Sequence, residues 1–198
     1  MPKDKLKSPR ATRPRRASLP GVAIVVSRYN STITERLLQG AVRAYQAAGG
    51  KAQHLYIAEA AGSFELLPIA AAAAECGAFA GVLALGCIIR GETRHDRYLA
   101  LAVTSGLADI SLRSGVPVGL GVLTVDSGRQ ARARAGGKLG NKGQQAMEAM
   151  LAAIAEVGIL RDSAALELAI TSGAGVRRLM HPSLTSPDKL ARGRKGQR

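Results

Sequence analysis

Short apolar runs rich in β-branched residues alternate along this chain with longer segments whose apolar residues recur at helical spacing. The runs predict buried strands over 21–27, 52–58, 81–89 and 116–124. Strands that alternate with helices through short connections form a parallel sheet covered by helices on both faces. The pattern therefore predicts a single α/β domain.

The segments between the runs carry helix start and stop signals. The first helix is predicted from a cap at Ser31 or Thr32 to about 48, where two glycines follow. Pro68 is tolerable in the first turn of the second helix. The remaining helices are predicted over 62–76, 95–114, 127–135 and 141–157.

Composition bounds the core and the size of the domain. A chain of 198 residues suffices for one domain with a sizeable core. It is 46% apolar but only 3% aromatic and has no Trp. The core must therefore consist of Ala, Val, Leu and Ile.

The net charge of +14 is concentrated at the two ends of the chain. Residues 1–18 carry seven Lys or Arg against one Asp, and residues 159–198 carry eight against three acidic residues. Segments of this kind cannot bury apolar surface, so we expect a disordered basic extension over 1–18 and a mostly disordered basic tail over 159–198. The body, 19–158, has a net charge of only +3, which argues against nucleic-acid binding as the main function.

Two cysteines, Cys76 and Cys87, form neither a disulfide framework nor a CxxC pair. They predict a reducing compartment, the cytoplasm. No apolar run approaches the length of a membrane span, and the start of the chain lacks the apolar region of a secretory signal. An organelle transit peptide is the alternative interpretation of the Arg-rich start.

The stretch from Gly86 to His95 combines two features of an enzyme site. A buried strand ends in Arg-Gly-Glu-Thr, and a helix begins at the histidine. The N–H groups at a helix N-terminus bind anions, and ligands of open parallel sheets bind at this end of the strands. Because His95 can move protons near neutral pH, the stretch predicts a phosphate seat beside a proton shuttle.

Five motifs give the chain a resemblance to a known family. They are Arg28-Tyr29-Asn30 with the helix start after it, Gly62-Ser63-Phe64-Glu65-Leu66, the stretch from Leu85 to Thr93 with His95, Gly121-Val122-Leu123-Thr124, and Gly140-Asn141-Lys142-Gly143. In order and spacing they resemble 6,7-dimethyl-8-ribityllumazine synthase, over about 21–157. The resemblance implies a three-layer α/β/α, flavodoxin-like subunit with a four-stranded parallel sheet.

The resemblance also implies the reaction. The family condenses 5-amino-6-(D-ribitylamino)uracil with 3,4-dihydroxy-2-butanone 4-phosphate, releasing phosphate and water, in the penultimate step of riboflavin biosynthesis. It uses no metal and no organic cofactor. Its subunits form pentamers with each active site between neighbours, and some members build capsids of sixty subunits. The short linker over 136–140 has no insertion, as in the members that form capsids.

Carried over position by position, the resemblance gives each candidate residue a role. His95 transfers protons, Glu92 and Thr93 hold the phosphate beside Gly91, and Arg134 supplies the countercharge. We expect the Glu92 side chain to point away from the phosphate. Tyr29 stacks on the pyrimidine, and Cys87, Ile88 and Ile89 contact its edge through their main chain. The remaining substrate-binding candidates are Ser63, Phe64, Glu65, Leu120 and Lys142.

Structural alternatives remain for several of these residues. Thr93 can equally be a helix cap, Phe64 a core residue and Lys142 a solvated lysine. Arg129 and Arg132 share the predicted helix of Arg134, which only the motif register singles out. As side chains, Ile88 and Ile89 are more simply core.

Two departures from the family pattern stand out. Leu120 occupies a position where many members have a Phe that reaches across the subunit interface. Asp96-Arg97-Tyr98 replaces the usual aromatic-Asp-Tyr after the histidine. Two functional alternatives stay open: a flavin-binding homologue or archaeal-type riboflavin synthase on the same fold, and a nucleic-acid-binding protein acting through its basic tails.

Overall fold

The computed structural model describes residues 19–171, in which a central sheet is flanked by helices. The sheet strands are β1 (Val22–Ser27), β2 (Leu55–Ala60), β3 (Gly81–Ile89) and β4 (Val118–Val125). The helices are α1 (Ser31–Ala47), α2 (Leu66–Glu75), α3 (His95–Ser114), α4 (Gly128–Arg134), α5 (Lys142–Arg161) and α6 (Ser163–Thr171). A 3-10 helix (Ala52–His54) precedes β2, and a small hairpin of β5 (Ala135–Gly137) and β6 (Gly140–Asn141) separates α4 from α5.

The four strands of the main sheet are all parallel, in the order β2-β1-β3-β4. This confirms the predicted four-stranded α/β sheet, and the order is that of a flavodoxin-like fold. Because the strands are parallel, all four end at the same edge. The segments that follow them, each leading towards the next helix, therefore meet at that edge.

Side chains alternate between the two faces of the sheet and build two separate core clusters. Val22, Ile24 and Val26 of β1 pack with α1, α4 and α5, together with Leu83 and Leu85 of β3. On the other face Ala23 and Val25 pack with α2 and α3. The core thus consists largely of aliphatic side chains, as the composition predicted, and the subunit has three layers.

Helices α1 and α5 pack closely because two glycines remove the side chains between them. A Cβ on Gly40 would clash with the Asn141 side chain, and one on Gly143 would clash with the main chain of Leu37. Asn141 is buried, and its Nδ2 donates to the Arg36 carbonyl at 2.7 Å while its Oδ1 accepts from the Gln144 N–H at 3.1 Å. The Gly-Asn-Lys-Gly motif therefore joins α5 to α1.

Several predicted boundaries differ from the structure. Strand β2 begins three residues later than predicted because 52–54 form a 3-10 turn, and its pairing with β1 continues to Ala60. The N-cap of α1 is Asn30, not Ser31 or Thr32. Residues 62–65 form turns before α2, whose N-cap is Glu65. Strand β4 lies over 118–125, two residues later at its start than predicted.

The start of the predicted C-terminal tail is helical. Helix α5 extends to Arg161, whose Nη2 donates to the Gly115 carbonyl at 2.8 Å, and α6 follows after Asp162. The prediction of disorder thus differs from the structure over 159–171. The predictions for 1–18 and for 172–198 lie outside the described residues. No helix within 19–171 has the length and hydropathy needed to cross a membrane.

Candidate active site

A cavity of about 510 Å³ lies at the edge where β1 and β3 end and α2 and α3 begin. It is the size of a pocket for a small molecule. Its lining comes from three segments that join a strand to the following helix, and from their flanks: Tyr29, Gly62, Ser63, Phe64, Glu65, Cys87, Ile88, Ile89, Gly91, Thr93, His95, Asp96 and Leu99. Nine of the thirteen predicted site residues therefore lie around one space.

The end of β3 forms one wall, with its main chain open on one side. Strand β3 pairs with β4 as far as Ile89 but with β1 only as far as Leu85. The Arg90 N–H donates to the Val125 carbonyl of β4 at 2.8 Å. Since peptide groups alternate in direction along a strand, those of Cys87 and Ile89 face away from β4, and those of Ile88 face β4.

The Cys87 thiol belongs to the core rather than to the cavity. Its side chain lies in the cluster with α1 and α5, on the sheet face opposite to α2 and α3. Burial raises the pKa of this thiol to about 11, so it stays protonated at neutral pH. A nucleophilic role for Cys87 is therefore disfavoured, and its main chain is what the cavity can use.

Two aromatic rings and two polar side chains also line the cavity. Tyr29 is 70% exposed and Phe64 is 55% exposed, although both line the cavity. The core alternative for Phe64 is therefore wrong within the single subunit. Ser63 is buried, whereas the carboxylate of Glu65 is exposed at the N-cap of α2. Exposed rings beside a cavity provide surfaces on which a planar ligand can stack.

Residues 90–93, the predicted phosphate seat, lead into α3 as predicted. Gly91 and Thr93 line the cavity, and His95 is the first residue of the helix. The Thr93 hydroxyl accepts from the His95 N–H at 3.4 Å, a long bond, whereas the N-cap of α3 is Arg94. Glu92 is exposed and does not belong to the cavity lining, the arrangement expected if its side chain points away.

Three predicted residues lie away from this cavity. Leu120 is in the middle of β4, on the α3 side of the sheet, where it is 46% exposed. Arg134 donates from Nη1 to the Gln130 carbonyl of its own helix at 3.3 Å. Lys142 donates from Nζ to Gln145 Oε1 at 2.9 Å. The structure of one subunit does not bring them to the other nine residues.

Sequence reasoning missed Asp96 and Leu99 as parts of the lining. A signal was present for Leu99, because it lies four residues after His95 and so on the same helix face. Asp96 adds a second carboxylate, besides that of Glu65, to the cavity lining. Within 19–171 no three His, Cys, Asp or Glu side chains are grouped so that they could hold a metal ion.

The chain matches a known protein family. The family model for 6,7-dimethyl-8-ribityllumazine synthase matches residues 20–157, well over half of the chain. The matched range contains the whole four-stranded sheet and every predicted site residue. The chain belongs to the 6,7-dimethyl-8-ribityllumazine synthase family, and it is a transferase of riboflavin biosynthesis with the activity of that family.

Proposed function

We propose that the condensation of 5-amino-6-(D-ribitylamino)uracil with 3,4-dihydroxy-2-butanone 4-phosphate takes place in the cavity at the end of β1 and β3. One observation carries the proposal: a single cavity is lined by an exposed aromatic ring, open main chain, a helix N-terminus and a histidine. Each of these suits one part of the two substrates. Catalysis then consists mainly of holding the two reactants close and correctly oriented.

The pyrimidine lies against Tyr29, with its polar edge at the open end of β3. The main-chain groups of Cys87 and Ile89 face that side. Ile89 supplies a donor and an acceptor, and the Cys87 carbonyl, which also accepts from Asn30 Nδ2, can accept a second hydrogen bond. The ribityl hydroxyls reach the start of α2, where the Glu65 carboxylate accepts hydrogen bonds. Phe64 adds a second apolar contact surface.

The phosphate of the second substrate lies at the N-terminus of α3. This helix is 20 residues long, and the positive end of its dipole favours an anion. Gly91 has no side chain, and no protein atom lies within 4 Å of where its Cβ would be. The phosphate can therefore approach the main chain of Gly91 closely. Thr93 adds a hydroxyl donor.

His95 lies between the two substrates and moves protons during imine formation and ring closure. It is exposed and lines the cavity, so it can exchange protons both with a ligand and with water. No other histidine lines the cavity in the described part of the chain. The acid–base work is therefore assigned to His95.

The site is completed by a second copy of the chain, and the enzyme is a homo-oligomer. Leu120 and Leu112 are exposed and line an apolar groove between α3 and β4, and a second groove runs from Leu120 towards Ala149 and Arg161. A partner seated on this face would cover the apolar surface. Leu120, Arg134 and Lys142 of the neighbour then supply the apolar wall and the phosphate countercharge, in pentamers or in larger sixty-subunit shells.

The proposed location is the cytoplasm. Both cysteines are free thiols, Cys76 exposed and Cys87 buried, which suits a reducing compartment. The partners are the two small-molecule substrates and further copies of the chain.

Incubating the purified chain with both substrates tests the proposal, because the lumazine product fluoresces. We expect product in proportion to enzyme, and size-exclusion chromatography with light scattering should show a pentamer or a multiple of it. No product at high enzyme concentration would overturn the proposed reaction. Bound riboflavin without turnover would favour a flavin-binding homologue instead.

A further inference from the structure

Asn30 has a backbone conformation that side-chain-bearing residues rarely adopt. Its φ of 61° and ψ of 42° place it in the left-handed region, and it is the only non-glycine residue with positive φ within 19–171. Asn tolerates this region better than most residues. The position is the joint between β1 and α1, directly after Tyr29.

The Asn30 side chain does not cap its own helix. Its carbonyl begins α1 by accepting from the N–H groups of Ile33 and Thr34, but its side chain makes no capping bond. Instead, Nδ2 donates to the Cys87 carbonyl at 2.8 Å, across 57 residues of sequence. An Asn at an N-cap ordinarily uses its side chain on the helix, so this contact replaces the common one.

The contact replaces a main-chain hydrogen bond that the sheet lacks at this point. The pairing of β1 with β3 ends at Val26 and Leu85. Continued in the same register, it would place Arg28 opposite Cys87, and the Tyr29 N–H would donate to the Cys87 carbonyl. In the structure the Tyr29 N–H donates to Ser27 Oγ at 3.2 Å, and the Asn30 amide donates to Cys87 instead.

We propose that Asn30 is a positioning residue that fixes the distance and orientation between the Tyr29 ring and the main-chain edge of Cys87 and Ile89. It frees the Tyr29 main chain from the sheet, so the ring can project over the cavity. At the same time, its hydrogen bond to the Cys87 carbonyl holds the end of β3 in place. The inference rests on the proposed function, since these two walls are where the pyrimidine binds.

Two substitutions of nearly opposite character test this role. Asn30→Gly keeps the left-handed backbone without strain but removes the amide donor. Asn30→Asp keeps the size and the backbone tolerance but presents an acceptor to the Cys87 carbonyl. We expect both to raise the KM for the pyrimidine substrate and the Kd of the lumazine product about tenfold, since a carbonyl loses its donor. The KM for the butanone phosphate should not change.

Thr32→Ala is the matched control, because Thr32 is exposed in the first turn of α1 and is not part of the cavity lining. It should leave both KM values and the lumazine Kd at the wild-type level. All variants are compared as assembled protein of the same mass by light scattering.

Three outcomes separate this inference from the proposed function. Wild-type lumazine affinity in Asn30→Gly would overturn the role of Asn30 alone. An equal rise in both KM values, or a fall in thermal stability without a change in either, would also overturn it by showing a merely structural role. Wild-type protein that neither binds lumazine nor forms it would overturn the proposed function and the role of Asn30 together.

Discussion

The proposed acid–base role of His95 rests on its position as the first residue of α3 and as the only histidine lining the cavity in the described chain. His95→Asn should lower kcat about 100-fold, at the low end of general acid–base effects since holding two substrates together supplies much of the rate. The KM for each substrate should stay near the wild-type value. Steady-state kinetics by product fluorescence measures this.

His54→Asn is the control for the loss of a histidine. His54 lies in the 3-10 helix before β2 and does not line the cavity. It should retain wild-type kcat. A His95 variant that loses less than threefold in kcat would contradict the assignment.

The two cysteines should differ sharply in reactivity. Burial raises the pKa of Cys87 to about 11, so only about one Cys87 thiol in a thousand is a thiolate at pH 8. Cys76 is exposed. A coloured aromatic disulfide reagent should therefore modify one thiol quickly in the native enzyme and two in urea. As pH approaches 11, the second thiol should begin to react in the native enzyme.

Cys76→Ser should abolish the fast phase of thiol modification and leave the slow modification of Cys87. Two fast thiols in the native wild type at pH 8 would show that the end of β3 opens to solvent. The result bears on the site, because the main chain of Cys87 forms part of its wall.

Leu120 is the position at which the resemblance predicts a departure from the family, in the proposed apolar wall. Leu120→Phe should restore a stacking ring at the neighbour's site and tighten lumazine binding roughly three- to tenfold. Fluorescence titration of lumazine gives the Kd. Leu101→Phe, on an exposed position of α3 outside both grooves, should leave the Kd unchanged. Weaker binding in Leu120→Phe would mean that the neighbour's wall has no space for a ring.

At the scale of elements, the strongest predictions concern a buried central strand and a helix whose end carries a clear turn signal. Strand β3 and helix α3 have the bounds that the sequence predicted, because β3 is a long apolar run at the centre of the sheet. Gly115, with φ of 68°, ends α3 as a left-handed cap. Burial and turn chemistry agree at these positions, so local patterns suffice.

The bounds of the edge strand and of the connections between strands and helices were less predictable, for physical reasons. Strand β2 has only β1 as a neighbour, and Tyr56 and Ile57 are exposed on it, so its apolar pattern does not fix where it begins. The start of α2 was predicted too early because 62–65 serve the cavity as turns. The Asn30 cap depends on a carbonyl 57 residues away, which no local pattern reveals.

The contact of α1 with α5 gives a stability prediction. Gly40→Ala should lower the free energy of unfolding by about 1–3 kcal/mol, because the added Cβ would overlap the buried Asn141 side chain. Gly158→Ala on α5 has no atom near its Cβ and should raise stability by up to about 1 kcal/mol. Urea unfolding of both variants measures the difference. Equal stability of the two would contradict a tight contact at Gly40.

At the scale of the whole molecule, the predicted site residues do not all lie together in one subunit. Nine predicted residues surround one cavity, whereas Leu120, Arg134 and Lys142 lie elsewhere. Periodicity and strand order place residues within a subunit but say nothing of how copies meet. Only the family resemblance predicted that each active site lies between neighbouring subunits.

Mixed oligomers test directly whether His95 and Arg134 of one site come from two different subunits. His95→Ala and Arg134→Ala should each be nearly inactive alone. Co-expressed in equal amounts, they should recover about one quarter of wild-type activity, because a site between subunits draws each residue independently from two equally abundant chains. Product fluorescence of the purified mixed assembly gives the recovered fraction. The same variants mixed after assembly serve as the control and should remain inactive. No recovery in co-assembled protein would place His95 and Arg134 in the same subunit's site, since every site would then lack one of them.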